Sequence, residues 1–210
     1  MQQPPGVNCC VRLPLAALIL ENRSMASFRS RPALSSGFPP VARRDARVLI
    51  LGSLPGVRSI QEQQYYAQPR NAFWRIMGEL AGAGPRLGYA ARLSQLKRHR
   101  IALWDVAAAA VRPGSLDSAI VHASVEANDF GAFLAAHRRI ELICFNGAKA
   151  AELFRRLVLP ALGEPFASIP SQRMPSTSPA HAGMPYARKL EAWSAIAAYL
   201  GPEAGIAGGK

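Results

Sequence analysis

The stretch from Arg47 to Trp74, RVLILGSLPGVRSIQEQQYYAQPRNAFW, constrains the fold more than any other part of this chain. It opens with four apolar residues, Val48 to Leu51, closed by Gly52. A short unbroken apolar run of this kind is a strand buried on both faces, as in a parallel sheet. Gly52-Ser53-Leu54-Pro55-Gly56 stops that strand, because glycine permits a tight turn and close approach to a ligand while Pro55 fixes the direction of the loop. A loop with Tyr65, Tyr66, Gln68 and Asn71 follows, and then a helix with Phe73, Ile76, Met77 and Leu80 at core spacing. Strand, glycine turn, polar-aromatic loop and helix place a site at the carboxyl end of the strand.

The rest of the chain repeats the alternation. The pattern predicts a helix over about Phe73 to Ala81, ended by Gly82-Ala83-Gly84-Pro85, and a second over Gly88 to Arg98. Ile101 to Val106 reads as a strand and Val111 to Asp117 as a loop with turn chemistry; Leu116 to His122 begins helical. Asn128 or Asp129 caps a helix reaching His137. Ile140 to Phe145 is the next buried strand, Ala148 to Val158 an amphipathic helix, Pro165 to Pro170 the last and weakest strand, and Tyr186 to Tyr199 the final helix. These elements predict an α/β fold: three layers, α/β/α, around a short, mostly parallel sheet.

Residues 1–36 read as a disordered or over-annotated extension, 37–202 as one domain and 203–210 as a frayed tail. The apolar run Leu13 to Leu20 is too short to span a membrane, and Met25 offers a second start. The formal charge is +12. Since the first 36 residues hold Arg12, Arg23, Arg29 and Arg31 against Glu21, the domain is basic in its own right. A basic domain fits a polyanionic partner, although GC-rich bacterial coding also enriches arginine. Cys9, Cys10 and Cys144 cannot form a four-thiolate metal site, and Cys144 sits in an apolar strand; the expectation is a reduced, cytoplasmic protein without a metal.

Three loops leave the carboxyl ends of expected strands: Gly52 to Phe73, Trp104 to Asp117, and Pro170 to Gly183. They bring no Ser-His-Asp set and no dense carboxylate cluster, and the first lacks the Lys-Ser/Thr of a nucleotide-triphosphate loop. They bring aromatics, the amides Gln68 and Asn71, and the hydroxyls Ser176, Thr177 and Ser178. Aromatic faces stack on bases, amides read base edges or hold a water, and hydroxyls bind phosphates. This set fits a flipped nucleotide better than a sugar or an acyl group.

The GSLPG turn, YYAQPRNAFW, IALWDV with RPGSLDS, FNGAKAAELF and MPSTSPAH, taken in order, resemble the uracil-DNA glycosylase superfamily, and within it the hypoxanthine-DNA glycosylases. The likeness runs from about Phe38 to Leu200. It implies hydrolysis of the bond between a deaminated base and deoxyribose, with no metal or redox cofactor and with lesion-bearing DNA as the partner; the accompanying expectation is a bacterial monomer used at the nucleoid, with no membrane partner.

Several branches of that superfamily carry a polar, water-positioning residue where Leu54 stands here. The resemblance moves that role to Asn71, which equally fits a helix N-cap. It assigns Phe73 to stacking on the extruded base, against an alternative in core packing. Asp105 falls where a base-reading residue stands, against an alternative as a turn cap. Gly52, Ser53, Leu54, Tyr66 and the Gly56 backbone complete the expected base pocket, with Tyr66 as a wall. Ser176, Thr177, Ser178 and His181 are expected at the DNA backbone. Met174 replaces the histidine of classical uracil enzymes, Gln68 replaces a histidine and His181 an asparagine of close relatives. Mismatch uracil excision, a catalytically silent DNA-binding module and a small-molecule enzyme are the competing readings. Lyase chemistry is disfavoured, because none of the three loops contains a lysine.

Overall fold

The computed structural model describes Met1 and residues 34–200. The expected C-terminal tail and nearly all of the expected N-terminal extension lie outside the described residues. The extension nevertheless ends earlier than expected: Leu34–Ser36 forms a strand, β1, so the folded part begins before residue 37.

The central sheet has four parallel strands: β2 (Val48–Gly52), β3 (Ile101–Asp105), β6 (Leu142–Asn146) and β7 (Ser171–Met174), in the order β3-β2-β6-β7. Every residue of β2, β3 and β6 is buried, which is why each reads as an unbroken apolar run. Alternate side chains serve opposite faces. Val48 and Ile50 pack with helices α2 (Phe73–Ala81), α3 (Tyr89–Arg98) and α6 (Tyr186–Trp193). Leu49 and Leu51 pack with α4 (Phe130–Ala136) and α5 (Ala148–Leu153). This is the three-layer α/β/α arrangement that the alternation predicts. Cys144 is buried between the layers, and loss of solvation pushes its thiol up to about 12, so it packs as a small apolar residue.

Four local expectations are corrected. The last strand is Ser171–Met174, not Pro165 to Pro170; Phe166–Ser168 is a short 3-10 turn, because prolines at 165 and 170 cannot donate to a ladder. The helix from Ala148 is regular only to Leu153 and continues as a π-helical turn, Phe154–Val158, ahead of Pro160. The loop after Gly52 contains a short helix, α1 (Val57–Glu62). The loop after β3 contains a strand, β4 (Ala107–Val111), which with β1 and β5 (Glu126–Ala127) makes a second, antiparallel sheet. Four consecutive alanines carry neither alternation nor strand propensity, so β4 has no signature in the sequence. No helix among the described residues is long and apolar enough to cross a membrane.

Candidate active site

The four parallel strands end on Gly52, Asp105, Asn146 and Met174, and the loops that leave them enclose one cavity of about 440 Å³. Gly52 is required by its neighbours: a methyl group there would overlap Asp105 Oδ1 and approach the Tyr66 hydroxyl to 3.2 Å. The carboxylate of Asp105 therefore lies directly against the backbone of the first turn.

Asp105 is 3 % exposed, its Oδ2 has no partner, and its backbone carbonyl accepts from Asn128 Nδ2 at 2.8 Å. Burial pushes the carboxyl up to about 7; the Arg112 guanidinium pulls it down, and Asp117 pushes it up again. Arg112, itself buried, donates from Nη1 to the Leu54 carbonyl at 3.1 Å and from Nη2 to the Pro55 carbonyl. Asp117 Oδ1 lies 3.9 Å from Arg112 Nη1 and accepts from Ser53 Oγ at 2.7 Å. Leu54 turns into an apolar cluster with Ala107, Ala110 and Ile120, so its side chain is a packing anchor for the turn.

The aromatic expectation is corrected at one position. Phe73 is fully buried and does not line the cavity; the ring of Tyr66 covers it, with centroids 3.9 Å apart and planes 23° from parallel. Tyr66 is the aromatic face beside the cavity. Its φ of +53° is a left-handed conformation that a tyrosine seldom adopts, and it turns the ring back onto Phe73. Burial holds its phenol well above the ordinary range; the nearby Asn146 amide eases this, but no partner meets the hydroxyl at hydrogen-bonding geometry. Tyr65 is scaffold: its N–H donates to the Tyr89 hydroxyl at 2.9 Å, its carbonyl accepts from Trp74 Nε1 at 3.0 Å, and its ring meets Phe38 edge-on.

Asn71 lines the cavity, and its Oδ1 accepts from the Phe73 N–H at 3.0 Å. That bond is an Asx turn one residue ahead of Ala72, the N-cap of α2, so Asn71 steadies the helix entry without being its cap, and the Nδ2 donors and the second Oδ1 lone pair stay available for a water. The neighbouring Ala72 N–H donates to the Thr177 carbonyl at 2.9 Å, tying this loop to the one after β7.

Thr177 differs from its expected place on the surface. It is buried, its hydroxyl accepts from Asn146 Nδ2 at 2.8 Å, and its N–H donates to Asn146 Oδ1 at 2.9 Å. Ser176 and Ser178 line the cavity with oxygens that accept from the backbone N–H groups of Ser178 and Ala180, each at 3.2 Å. His181 is exposed at the rim. Helix α6 fastens both ends of this loop: Trp193 Nε1 donates to the Pro175 carbonyl at 3.0 Å, and Lys189 Nζ to the His181 carbonyl at 2.8 Å. Behind it, Gly147 has a φ of +98°, and a methyl group there would press on Ser176 Cβ at 3.0 Å.

Arg112, Asp117 and Asn146 are cavity residues that the sequence reading did not single out. All three stand in stretches already marked, RPGSLDS and FNG, but an arginine after a strand and an asparagine before a glycine carry no signature of burial.

Residues 39–200 match the family model of the uracil DNA glycosylase superfamily. This chain belongs to the uracil DNA glycosylase superfamily. A protein named hypoxanthine DNA glycosylase from Methanosarcina acetivorans is 45 % identical over 120 residues, 57 % of this chain and 75 % of the relative. A protein of the same name from Methanosarcina barkeri is 43 % identical over 117 residues, 55 % of this chain and 73 % of the relative. The solution NMR structure of a Methanosarcina acetivorans protein provisionally assigned as a uracil DNA glycosylase superposes with a TM-score of 0.66 at 36 % identity, covering 80 % of this chain and 99 % of that one.

Proposed function

We propose that this superfamily member is a monofunctional DNA glycosylase of base excision repair, which extrudes a deaminated base, with hypoxanthine favoured, and hydrolyses its N-glycosidic bond. The observation that carries the reading is Asp105: a buried carboxylate with one unpartnered oxygen, lining the same cavity as Tyr66 and meeting the Tyr66 hydroxyl across Gly52. In hypoxanthine N1 bears a hydrogen, whereas in adenine N1 is an acceptor. An ionised Asp105 accepts from the former and repels the lone pair of the latter. The two relatives named hypoxanthine DNA glycosylase support the same choice of base.

In this reading Tyr66 stacks on the flipped base, and Asn71 orients the attacking water towards the sugar carbon. The departing bond leaves a cation-like sugar, which DNA phosphates on either side stabilise. The loop from Ser176 to His181 lies along the DNA backbone, with the Ser178 and His181 rim nearest the strand. Extrusion costs a few kcal/mol and costs least at a mismatch, so a mispaired lesion is the preferred substrate. Uracil also offers a ring N–H beside a carbonyl, which makes mismatched uracil the second substrate to try.

The test is alkaline strand cleavage of labelled duplexes containing one inosine or one uracil, with wild type and Asn71→Ala. The reading predicts cleavage at inosine that falls at least about 100-fold in the variant, as expected for a lost catalytic positioning group. Uracil-only cleavage moves the protein to mismatch uracil excision. Tight, salt-sensitive binding with no product identifies a silent binding module.

A further inference from the structure

Among the described residues, the buried side-chain atoms without a hydrogen-bond partner are Tyr66 Oη, Asp105 Oδ2 and Arg112 Nε, and all three residues line the same cavity. Arg112 connects this orphaned set to the turn. Its two terminal nitrogens hold the Leu54 and Pro55 carbonyls, and Asp117, which faces it at 3.9 Å, holds Ser53 through a 2.7 Å hydrogen bond. Three successive residues of the first turn are thus fastened from one side by a single guanidinium and its carboxylate partner. A buried arginine whose donors grip carbonyls is kept for geometry, since leaving a guanidinium in the interior is costly unless its donors are occupied.

We infer that Arg112 is a positioning residue for base recognition: it locks the Ser53–Pro55 turn, which continues from Gly52 against the Asp105 carboxylate, and it lines the same cavity as that carboxylate, the acceptor of a base N–H. This rests on the glycosylase reading above. The charged groups that act on Asp105 are Arg112 and Asp117, both from the loop after β4; the phenols of Tyr65 and Tyr66, from the loop after α1, and of Tyr89, from α3, are themselves raised by the Asp105 charge. The three phenols are neutral at working pH, so Arg112 is the attractive charge in this group and Asp117 the repulsive one. Their removal must move Asp105 in opposite directions, whereas simple damage to the loop would impair both variants alike.

The experiment is the pH profile of single-turnover excision from an inosine duplex, for wild type, Arg112→Met, Arg112→Lys and Asp117→Asn. The acid limb should rise by about one pH unit or more in Arg112→Met, since an adjacent opposite charge lowers a carboxyl by about 1–3 units. It should fall in Asp117→Asn. Arg112→Lys should leave the limb near its wild-type position while slowing the reaction, because an ammonium keeps the charge but does not span two carbonyls. An unmoved limb in Arg112→Met, or limbs that shift the same way in both charge variants, overturns the inference. Carboxyl-carbon NMR titration of Asp105 in the DNA-free protein covers the case in which Arg112→Met fails to fold: the Asp105 midpoint must drop in Asp117→Asn, and an unchanged midpoint overturns the inference. If wild type releases no base while the midpoints move as stated, the function reading fails and the role of Arg112 in setting the charge on Asp105 stands.

Discussion

The ring of Tyr66 lies flat on the ring of Phe73, 3.9 Å away, so the phenylalanine that opens α2 never reaches the cavity and the tyrosine lines it in its place. The pair divides support from contact. Tyr66→Ala should lower kcat/KM for an inosine duplex about 10–100-fold, the value of one base–aromatic stack of about 1–3 kcal/mol. Tyr66→Phe should retain most of the activity. Phe73→Leu should instead act mainly on folding, lowering Tm by truncating a fully buried ring. Steady-state kinetics beside thermal melts separates the two effects.

Asp105 gives stability a pH dependence of known sign. Its carboxyl is raised in the folded protein to about 7 from an ordinary 3.8, so the contribution is fully present below about pH 4 and is lost as pH rises through 7. Asp105→Asn, which removes the buried charge, should therefore gain on wild type as pH rises. The Tm difference between variant and wild type should be larger at pH 8 than at pH 5, corresponding to a few kcal/mol. A difference independent of pH would show that the carboxyl titrates normally.

Gly52→Ala places a methyl group where Asp105 Oδ1 now sits. The carboxylate must move, and a displacement of about 1 Å in a positioning group costs on the order of 100-fold in rate. Excision should fall by at least that factor, while affinity for undamaged duplex, measured by fluorescence anisotropy, stays within a few-fold of wild type.

The parallel sheet was legible because buried central strands write themselves as apolar runs. Val48 to Leu51 and Ile140 to Phe145 needed no other clue, and the turn at Gly52 lies on the cavity at their carboxyl ends. What stayed hidden depends on contacts between distant segments. The alanines of β4 become a strand only by pairing with Leu34–Ser36 and Glu126–Ala127. Thr177 looks like a surface hydroxyl until Asn146, 31 residues earlier, takes both its N–H and its oxygen. Phe73 fits base stacking by its place after Asn71, and only the backward turn at Tyr66 shows which ring is outermost. Arg112 reads as one of many arginines until burial distinguishes it. Lys189 lies outside the three loops, yet its hydrogen bond fastens the last of them from helix α6.

Asn146 and Thr177 make the bridge that joins β6 to the hydroxyl loop. Asn146→Ala leaves a buried N–H and a buried hydroxyl without partners, at about 1–3 kcal/mol each. Urea unfolding should show a loss of that order. Thr177→Val removes one of the two bonds and preserves shape, so its loss should be distinctly smaller. Equal losses would mean that the backbone bond contributes nothing.

Direct detection of the released base tests the central claim most plainly. Purified protein is incubated with a duplex holding one deoxyinosine opposite thymine, and the supernatant is analysed by liquid chromatography and mass spectrometry alongside a count of abasic sites. The account predicts free hypoxanthine in a one-to-one ratio with abasic sites, released at least about 100-fold more slowly by Asn71→Ala. Tight binding of the lesion duplex with neither free hypoxanthine nor free uracil from a matching uracil duplex would contradict it.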